Sequence, residues 1–207
     1  MGSISQITKR RRNLTNMWPT IFDENNKKVY DLPSRLLKDR IILLNETITD
    51  QTAASITAQL MYLNMEDKKK AITMYINSPG GSVSAGFAIY DMMKNIEAPV
   101  ITIANGMVAS MAAFLLSAGD KGMRYAMPNS TIMIHQPLGG TQGQATEIEI
   151  CARRILKIRE KIYKIMASVS NKDVAYFEDA CERDNYLEPE EALKIGLIDK
   201  ILPAVKN

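Results

Sequence analysis

The chain contains a single histidine, His135, and this limits the catalytic chemistry that its side chains allow. Histidine is the most frequent general base in enzymes because its charge changes near neutral pH. Any Ser-His pair in this protein must therefore use His135. The residue follows an apolar run, residues 131–134, and precedes Gln136, Pro137 and a glycine-rich loop, a position from which an imidazole can project into a cleft. A structural role for a histidine at a strand end is the alternative.

Ser110 is a candidate nucleophile because of the place that it occupies in the chain. The predicted strand VITIAN (100–105) passes through Gly106 into a stretch of small residues that contains Ser110. Unpaired N–H groups and the positive end of the dipole at a helix N-terminus stabilise negative charge near a serine oxygen. Alternatively, Ser110 and the alanines around it are small residues that permit close helix packing.

The turn NSPGG (77–81) is a second candidate element of a reactive site. Gly80 and Gly81 tolerate positive φ and let a backbone amide approach a ligand closely, so this turn can supply an oxyanion-hole donor. An ordinary strand-to-helix turn explains the glycines equally well.

Other catalytic signatures are absent from the sequence. Ser110 lacks the G-x-S-x-G elbow, because Val108 and Ala112 stand at the glycine positions, and no S-x-x-K motif occurs. One histidine excludes H-E-x-x-H, and neither a P-loop nor G-x-G-x-x-G is present. We therefore expect that this chain binds no cofactor or metal and that any ATP is used by a partner protein.

Composition indicates one domain and excludes several classes of partner. The 207 residues are 46% hydrophobic, enough for one core, and a net charge of +3 is too small to indicate a nucleic-acid surface. Cys151 and Cys181 form no C-x-x-C motif, which fits a reducing, cytoplasm-like compartment. The longest apolar run is well short of the roughly 20 residues that span a bilayer, so no membrane association is expected.

The first residues carry four basic side chains between positions 9 and 12 and no acidic one. They lack the apolar stretch of a secretory signal. We predict a basic flexible lead or removable propeptide over residues 1–17 and one domain over residues 18–207, with an organelle transit segment as the alternative for the lead.

The elements that must position Ser110 and His135 alternate between strands and helices, which is the α/β pattern. Strands are predicted at 40–45, 71–76, 100–105 and 131–135. One helix is predicted to follow Asp50 as its N-cap and to carry Ile56, Leu60 and Leu63 on one face, and another to cover 82–96. A longer helix carries apolar residues at alternating steps of three and four, a stripe typical of core packing but also suited to contacts between subunits: Ile148, Cys151, Ile155, Ile158, Ile162, Ile165 and Val169. A last helix begins at Pro189 and ends at Gly196.

Four segments resemble, in order and spacing, the signatures of the ClpP family, the proteolytic subunits of the ATP-dependent Clp protease. They are YINSPGGSVSAGFAIYD (75–91), ANGMVASMAAFLLSAG (104–119), PNSTIMIHQPLGGTQGQATEIEI (128–150) and ERDNYLEPEEALKIGLIDKI (182–201). The resemblance implies that Ser110 is the nucleophile, His135 the general base and Asp184 the residue that orients the imidazole. It further implies an oxyanion hole from the N–H groups of Gly81 and Met111, and substrate alignment along the backbone of Pro137 and Leu138.

The fold that the resemblance implies is the α/β ClpP/crotonase type, a spiral of β-β-α units with a long handle helix. Two stacked heptameric rings, or a mixed ring with a second ClpP isoform, would enclose the active sites of a serine endopeptidase. Unfolded polypeptides would be fed by an ATP-dependent AAA+ unfoldase of the ClpX, ClpA or ClpC type. A bacterial cytoplasm is the implied location, with an organelle matrix or stroma as the alternative.

Departures from the family pattern concern docking of the unfoldase more than catalysis. Pro33 replaces an aromatic residue, and Thr73 and Asn95 are polar where the docking cleft is commonly aromatic. Two rival functions are a catalytically silent ring subunit, which the complete Ser-His-Asp set disfavours, and an acyl-CoA enzyme of the crotonase branch, to which IHQPLGG (134–140) is foreign.

Overall fold

The computed structural model describes residues 18–23 and 27–204, which form two compact units divided between Asp39 and Arg40. This division falls inside the range predicted as one domain, and the predicted basic lead, residues 1–17, lies outside the described residues. Among the helices of the described chain, none is both long and apolar enough to cross a membrane.

The first unit is a hairpin followed by a short helix. Strands β1 (Thr20–Asp23) and β2 (Lys28–Asp31) pair antiparallel, and α1 (Leu32–Lys38) follows directly. The Asp31 carboxylate caps this helix by accepting a hydrogen bond from the Ser34 N–H at 2.8 Å. Pro33 lies in the first turn of α1, where a missing N–H costs nothing.

The second unit is a mostly parallel sheet with helices around it, as predicted for the ClpP/crotonase fold. Its strands are β3 (Ile41–Leu44), β4 (Ile72–Ser78), β5 (Val100–Ala109), β6 (Arg124–Ala126), β7 (Thr131–Ile134), β8 (Asn185–Leu187) and β9 (Lys200–Ile201). Its helices are α2 (Asp50–Glu66), α3 (Val83–Asn95), α4 (Met111–Ser117), α5 (Ala145–Val169), α6 (Val174–Ala180) and α7 (Pro189–Lys194). The strand order is β3-β4-β5-β6-β9, with β7 between β5 and β8.

The long strand β5 pairs with two different strands along its length. Its first half lies parallel to β6 and its second half parallel to β7, which pairs antiparallel with β8. A register shift in β4 accompanies the change, and the Asn77 side-chain oxygen there accepts a hydrogen bond from the Met107 N–H at 3.2 Å. The carboxyl end of β5 is thereby brought beside β7, and β8 lies on the far side of β7.

Helix α2 confirms the predicted apolar face but begins one residue differently. Ile56, Leu60 and Leu63 are buried at spacings of four and three residues. The N-cap is Thr49, whose hydroxyl accepts from the Thr52 N–H at 3.2 Å, and Asp50 is the first helical residue. The prediction of Asp50 as the cap was wrong by one position, because both residue types serve as caps.

Helix α5, the predicted handle, is buried over part of its length only. Its 25 residues extend roughly 37 Å at 1.5 Å per residue. The buried residues are Ile162, Tyr163 and Met166, all in the second half, whereas Ile148 is 46% exposed. The first half of the predicted stripe is therefore not core of this chain.

An ion pair between buried Arg124 and partly buried Asp199 joins the end of α5 to the sheet. Arg124, 4% exposed, donates two hydrogen bonds to the Asp199 carboxylate, at 2.8 and 2.6 Å, and one to the Val169 carbonyl at the end of α5, at 2.7 Å. Burial alone would raise the pKa of Asp199, but the hydrogen bonds and charge of Arg124 outweigh it and hold this pKa below its ordinary value of 3.8.

Candidate active site

The register of three neighbouring strands brings Ser110, His135 and Asp184 to one place. Ala109 of β5 lies opposite Met133 of β7, and Ile134 of β7 lies opposite Asn185 of β8. Ser110 and His135 each follow the carboxyl end of their strand, and Asp184 immediately precedes β8. Since β8 runs antiparallel to β7, the end of one strand meets the start of the other.

Ser110 has a backbone conformation that is unusual for a residue with a side chain. Its φ is 56° and its ψ is −122°, and it forms the N-cap of α4 without a side-chain capping bond. Its N–H donates to the Met133 carbonyl at 2.8 Å and its carbonyl accepts from the Phe114 N–H at 3.1 Å, so both backbone groups are held. Such strained conformations cluster at functional sites, where the surrounding structure enforces them.

The Ser110 hydroxyl and the His135 imidazole are in hydrogen-bond contact. Ser110 Oγ lies 2.7 Å from His135 Nε2. If Nε2 accepts the hydroxyl proton, the neutral ring carries its own proton on Nδ1. This is the arrangement in which a histidine removes a proton from a serine.

Asp184 lies on the other side of the ring but at a longer distance. Its Oδ1 is 3.5 Å from His135 Nδ1, and the carboxylate side chain is 59% exposed, whereas that of His135 is 12% exposed. This separation is beyond the usual 2.7–3.2 Å of an N–H···O hydrogen bond. The structure therefore brings the predicted third residue into ion-pair range of the imidazole and not into a short hydrogen bond.

The glycine turn packs directly against Ser110. Gly80 has φ of 88°, and a Cβ atom at this position would lie 2.7 Å from Ser110 Cβ and 2.9 Å from the Met111 nitrogen. The Gly80 N–H donates to Ser78 Oγ at 3.1 Å, and that hydroxyl donates to the Glu46 carbonyl at 2.6 Å. Because Gly80 has no side chain, the turn can lie this close to Ser110, and the Ser78 hydroxyl holds the turn in place.

The backbone N–H groups of Gly81 and Met111 take no part in the hydrogen bonds of the neighbouring bridge and helix. In the parallel bridge between Ile48 and Gly81, the hydrogen bonds run from Ile48 N–H to the Gly80 carbonyl and from Ser82 N–H to the Ile48 carbonyl, so the Gly81 amide takes no part. Met111 is the first residue of α4, where an N–H has no acceptor within the helix. The backbone pairing described here uses neither amide, so both are candidate oxyanion-hole donors.

A small, largely apolar pocket opens beside Ser110 and His135. Its remaining lining residues are Val83, Met111, Phe114, Ile134, Pro137, Ile162 and Met166. The Phe114 ring is held by Phe87 and Tyr90, at centroid distances of 5.6 and 5.1 Å. Pro137 thus contributes to the pocket, whereas Leu138, 82% exposed, lies in the irregular loop beyond it.

Cys181 lies near this site but is unsuited to act as a nucleophile. Its side chain is 1% exposed, and burial raises the pKa of its thiol to about 12, although a hydrogen bond with Tyr163 lowers it in part. A cysteine attacks as the thiolate, which this environment suppresses.

Within residues 18–23 and 27–204, no group of three or more His, Cys, Asp or Glu side chains could hold a metal ion.

Sequence reasoning missed two residues that build the site. The first is Ser78, whose part in positioning depends on its hydrogen bond to the Glu46 carbonyl. The second is Gln136, which joins the His135 segment to the loop before Asp184. Gly80 was a candidate from its turn, but its close approach to Ser110 was not predicted. The position of Gln136 next to the single histidine was the one available signal.

The comparison with known families agrees with this geometry. A family model described as Clp protease matches residues 24–205, which is nearly the whole chain. Membership implies a peptidase, a hydrolase that works within an oligomeric protease assembly. The chain belongs to the Clp protease family.

Proposed function

We propose that this chain is a serine endopeptidase subunit that cleaves unfolded polypeptides through an acyl-enzyme on Ser110. The observation that carries the proposal is the 2.7 Å contact between Ser110 Oγ and His135 Nε2 beside two available backbone amides. The family match supports the same reaction class.

The reaction follows from the positions of these groups. His135 Nε2 takes the Ser110 proton while Oγ attacks the peptide carbonyl carbon, and the oxygen becomes negative beside the Gly81 and Met111 N–H groups. The imidazolium then gives its proton to the leaving amine as the C–N bond breaks. Water attacks the resulting ester and its proton passes to His135. The imidazolium returns this proton to Ser110 Oγ as the C–Oγ bond breaks and the carboxylic acid leaves. Asp184 stabilises the imidazolium in both steps.

The pocket beside Ser110 determines which side chain precedes the cleaved bond. Its lining is apolar apart from Ser110 and His135 themselves, so a charged side chain would lose its hydration there without gaining a partner. We expect cleavage after apolar residues. Pro137 and Leu138, in the irregular loop after β7, are the proposed backbone against which the substrate extends.

Family membership supports a proposal for assembly and substrate delivery. The partly exposed apolar stripe of α5 fits contacts between subunits, and we propose stacked heptameric rings, homomeric or mixed with a second isoform. An AAA+ unfoldase is the proposed source of unfolded chains. The sequence has no P-loop, so ATP would be used by that partner and not by this chain.

The proposal is tested by labelling and turnover of the assembled protein. A fluorophosphonate probe should add once per chain at Ser110, and peptides with leucine before the cleaved bond should be hydrolysed without ATP, at least tenfold faster than matched aspartate peptides. Ser110→Ala should abolish both signals and leave the assembly intact in native mass spectrometry. Ser55→Ala, which removes an exposed hydroxyl of α2, should change neither.

Turnover retained in Ser110→Ala would refute the mechanism. An intact assembly that neither labels nor cleaves would instead identify a catalytically silent subunit.

A further inference from the structure

Asp184 lies one residue beyond the point where regular strand pairing ends. The β7–β8 ladder stops at the pair Ile134 and Asn185, and residues 181–184 form a turn outside the sheet. Strand register therefore brings Asp184 near His135 but does not fix the distance between the two side chains. The 59% exposure of the Asp184 side chain means that packing does not hold it either.

Gln136 supplies two hydrogen bonds from the histidine segment to this turn. Its backbone N–H donates to the Cys181 carbonyl at 2.7 Å. Its side-chain Nε2 donates to the Glu182 carbonyl at 3.0 Å. Because Gln136 is bonded to His135 and Glu182 lies two residues before Asp184, these contacts set the spacing between the two charged partners.

We propose that Gln136 is a positioning residue that holds Asp184 within reach of His135 Nδ1. The proposal rests on the proposed function, since it assumes that Asp184 stabilises the His135 imidazolium. The backbone bond survives any substitution except proline. Only the side-chain bond therefore depends on which residue stands at position 136. Without it, the turn keeps the Cys181 contact at one end, and at the other it keeps the Asn185–Ile134 pair and the 3.0 Å hydrogen bond from Asn185 Nδ2 to the Ala180 carbonyl. Residues 182–184 between these ends lose their bond to the Gln136 side chain.

The Nδ1···Oδ1 distance of 3.5 Å makes the pair sensitive to this loss. At this distance no short hydrogen bond holds the carboxylate, and the exposed side chain has water as an alternative partner. Its interaction with His135 is therefore lost readily when the turn relaxes. A displacement near 1 Å at a catalytic group costs on the order of 100-fold in rate. For a partial relaxation of the turn, we expect a loss of about tenfold in kcat with KM unchanged.

A double-mutant cycle in the assembled protein tests the proposal. Gln136→Met keeps the length of the side chain but removes its N–H donor. It should lower kcat about tenfold in the wild-type background and less than twofold in Asp184→Ala, because the side chain acts through Asp184. Asn171→Ala is the matched control, since Asn171 also donates one 3.0 Å side-chain bond to a backbone carbonyl, that of Lys194. It should leave kcat unchanged.

The single histidine provides a direct spectroscopic readout. In protein labelled with ¹⁵N-histidine, every imidazole signal belongs to His135. The Nδ1 proton should move upfield and exchange faster with water in Gln136→Met, in the same direction as in Asp184→Ala, and stay unchanged in Asn171→Ala. Gln136→Asn, which keeps the amide on a side chain too short to make the same contact, serves as a second variant if Gln136→Met fails to assemble.

An equal loss in both backgrounds of the cycle, or an unchanged Nδ1 proton in Gln136→Met, would overturn the role of Gln136 and leave the proposed function intact. Wild-type turnover in Asp184→Ala would overturn both this proposal and the part of the proposed function that assigns a role to Asp184.

Discussion

Replacing Ser110 by glycine should abolish turnover and also make the chain more stable than replacing it by alanine. The backbone of Ser110, at φ 56° and ψ −122°, lies close to the values near +60° and −120° of the first central residue of a type II′ turn, a position that glycine favours. Alanine keeps the Cβ atom and therefore the strain. Both variants lose the same Oγ–His135 contact, so that loss cancels in the comparison.

The expected difference follows from two opposing contributions. A non-glycine residue in such a region costs about 1–3 kcal/mol. Glycine loses more conformational freedom on folding, which costs about 0.5–1 kcal/mol relative to alanine. No side-chain cap is lost at this N-cap, since Ser110 makes none. The balance favours Ser110→Gly over Ser110→Ala by about 1 kcal/mol, or about 2–4 °C in Tm for a chain of this size.

Thermal and urea unfolding of the two variants at equal protein concentration measure this difference, because assembly contributes to apparent stability. Native mass spectrometry of both variants should give the same stoichiometry. If Ser110→Ala is as stable as Ser110→Gly, or more so, the backbone at Ser110 is not strained in the way that its dihedral angles indicate.

Two further predictions concern the supports of the site. Gly80→Ala introduces a Cβ 2.7 Å from Ser110 Cβ and should lower kcat/KM about 100-fold in peptide assays. Size-exclusion chromatography should show that the variant stays assembled. Unchanged kinetics would contradict the close approach of the turn to Ser110. Asp199→Asn leaves the Arg124 charge unpaired and should lower the free energy of unfolding at pH 7 by about 3 kcal/mol in urea titrations. The Asp199 pKa lies below 3.8 in the folded chain, so this stabilisation is present above pH 3.8 and is lost as the pH falls through the lower folded pKa. The free energies of unfolding of the wild type and Asp199→Asn should therefore converge in acid. A difference between them that stays constant with pH would refute the linkage.

Local patterns predicted much of the fold. Apolar runs of strand length and spacings of three and four residues indicated most of the strands and helices, since these periodicities follow from backbone geometry alone. The cap of α2 was displaced by one residue because Thr49 and Asp50 are both good capping types. The pattern of α5 left open whether its apolar stripe is core, and the structure buries Ile162 and Met166 but leaves Ile148 exposed.

The sequence likewise indicated some residues of the site and not others. Ser110 and His135 were candidates from the sequence alone, because one is a serine at a strand-to-helix junction and the other is the single histidine. Asp184 is one of 23 acidic residues, and apart from the family resemblance no local feature selects it. Its approach to His135 depends on the antiparallel pairing of β7 with β8, which joins distant segments of the chain.

By itself, the sequence determined the residue types available for chemistry, the alternation of strands and helices, and the family to which they belong. Tertiary structure alone decided the 2.7 Å contact of Ser110 with His135, the 3.5 Å separation from Asp184, and the parts that Gly80 and Gln136 play in supporting them. The physical reason is that periodicity and capping act over a few residues, whereas strand register and close backbone approach arise between segments far apart in the chain.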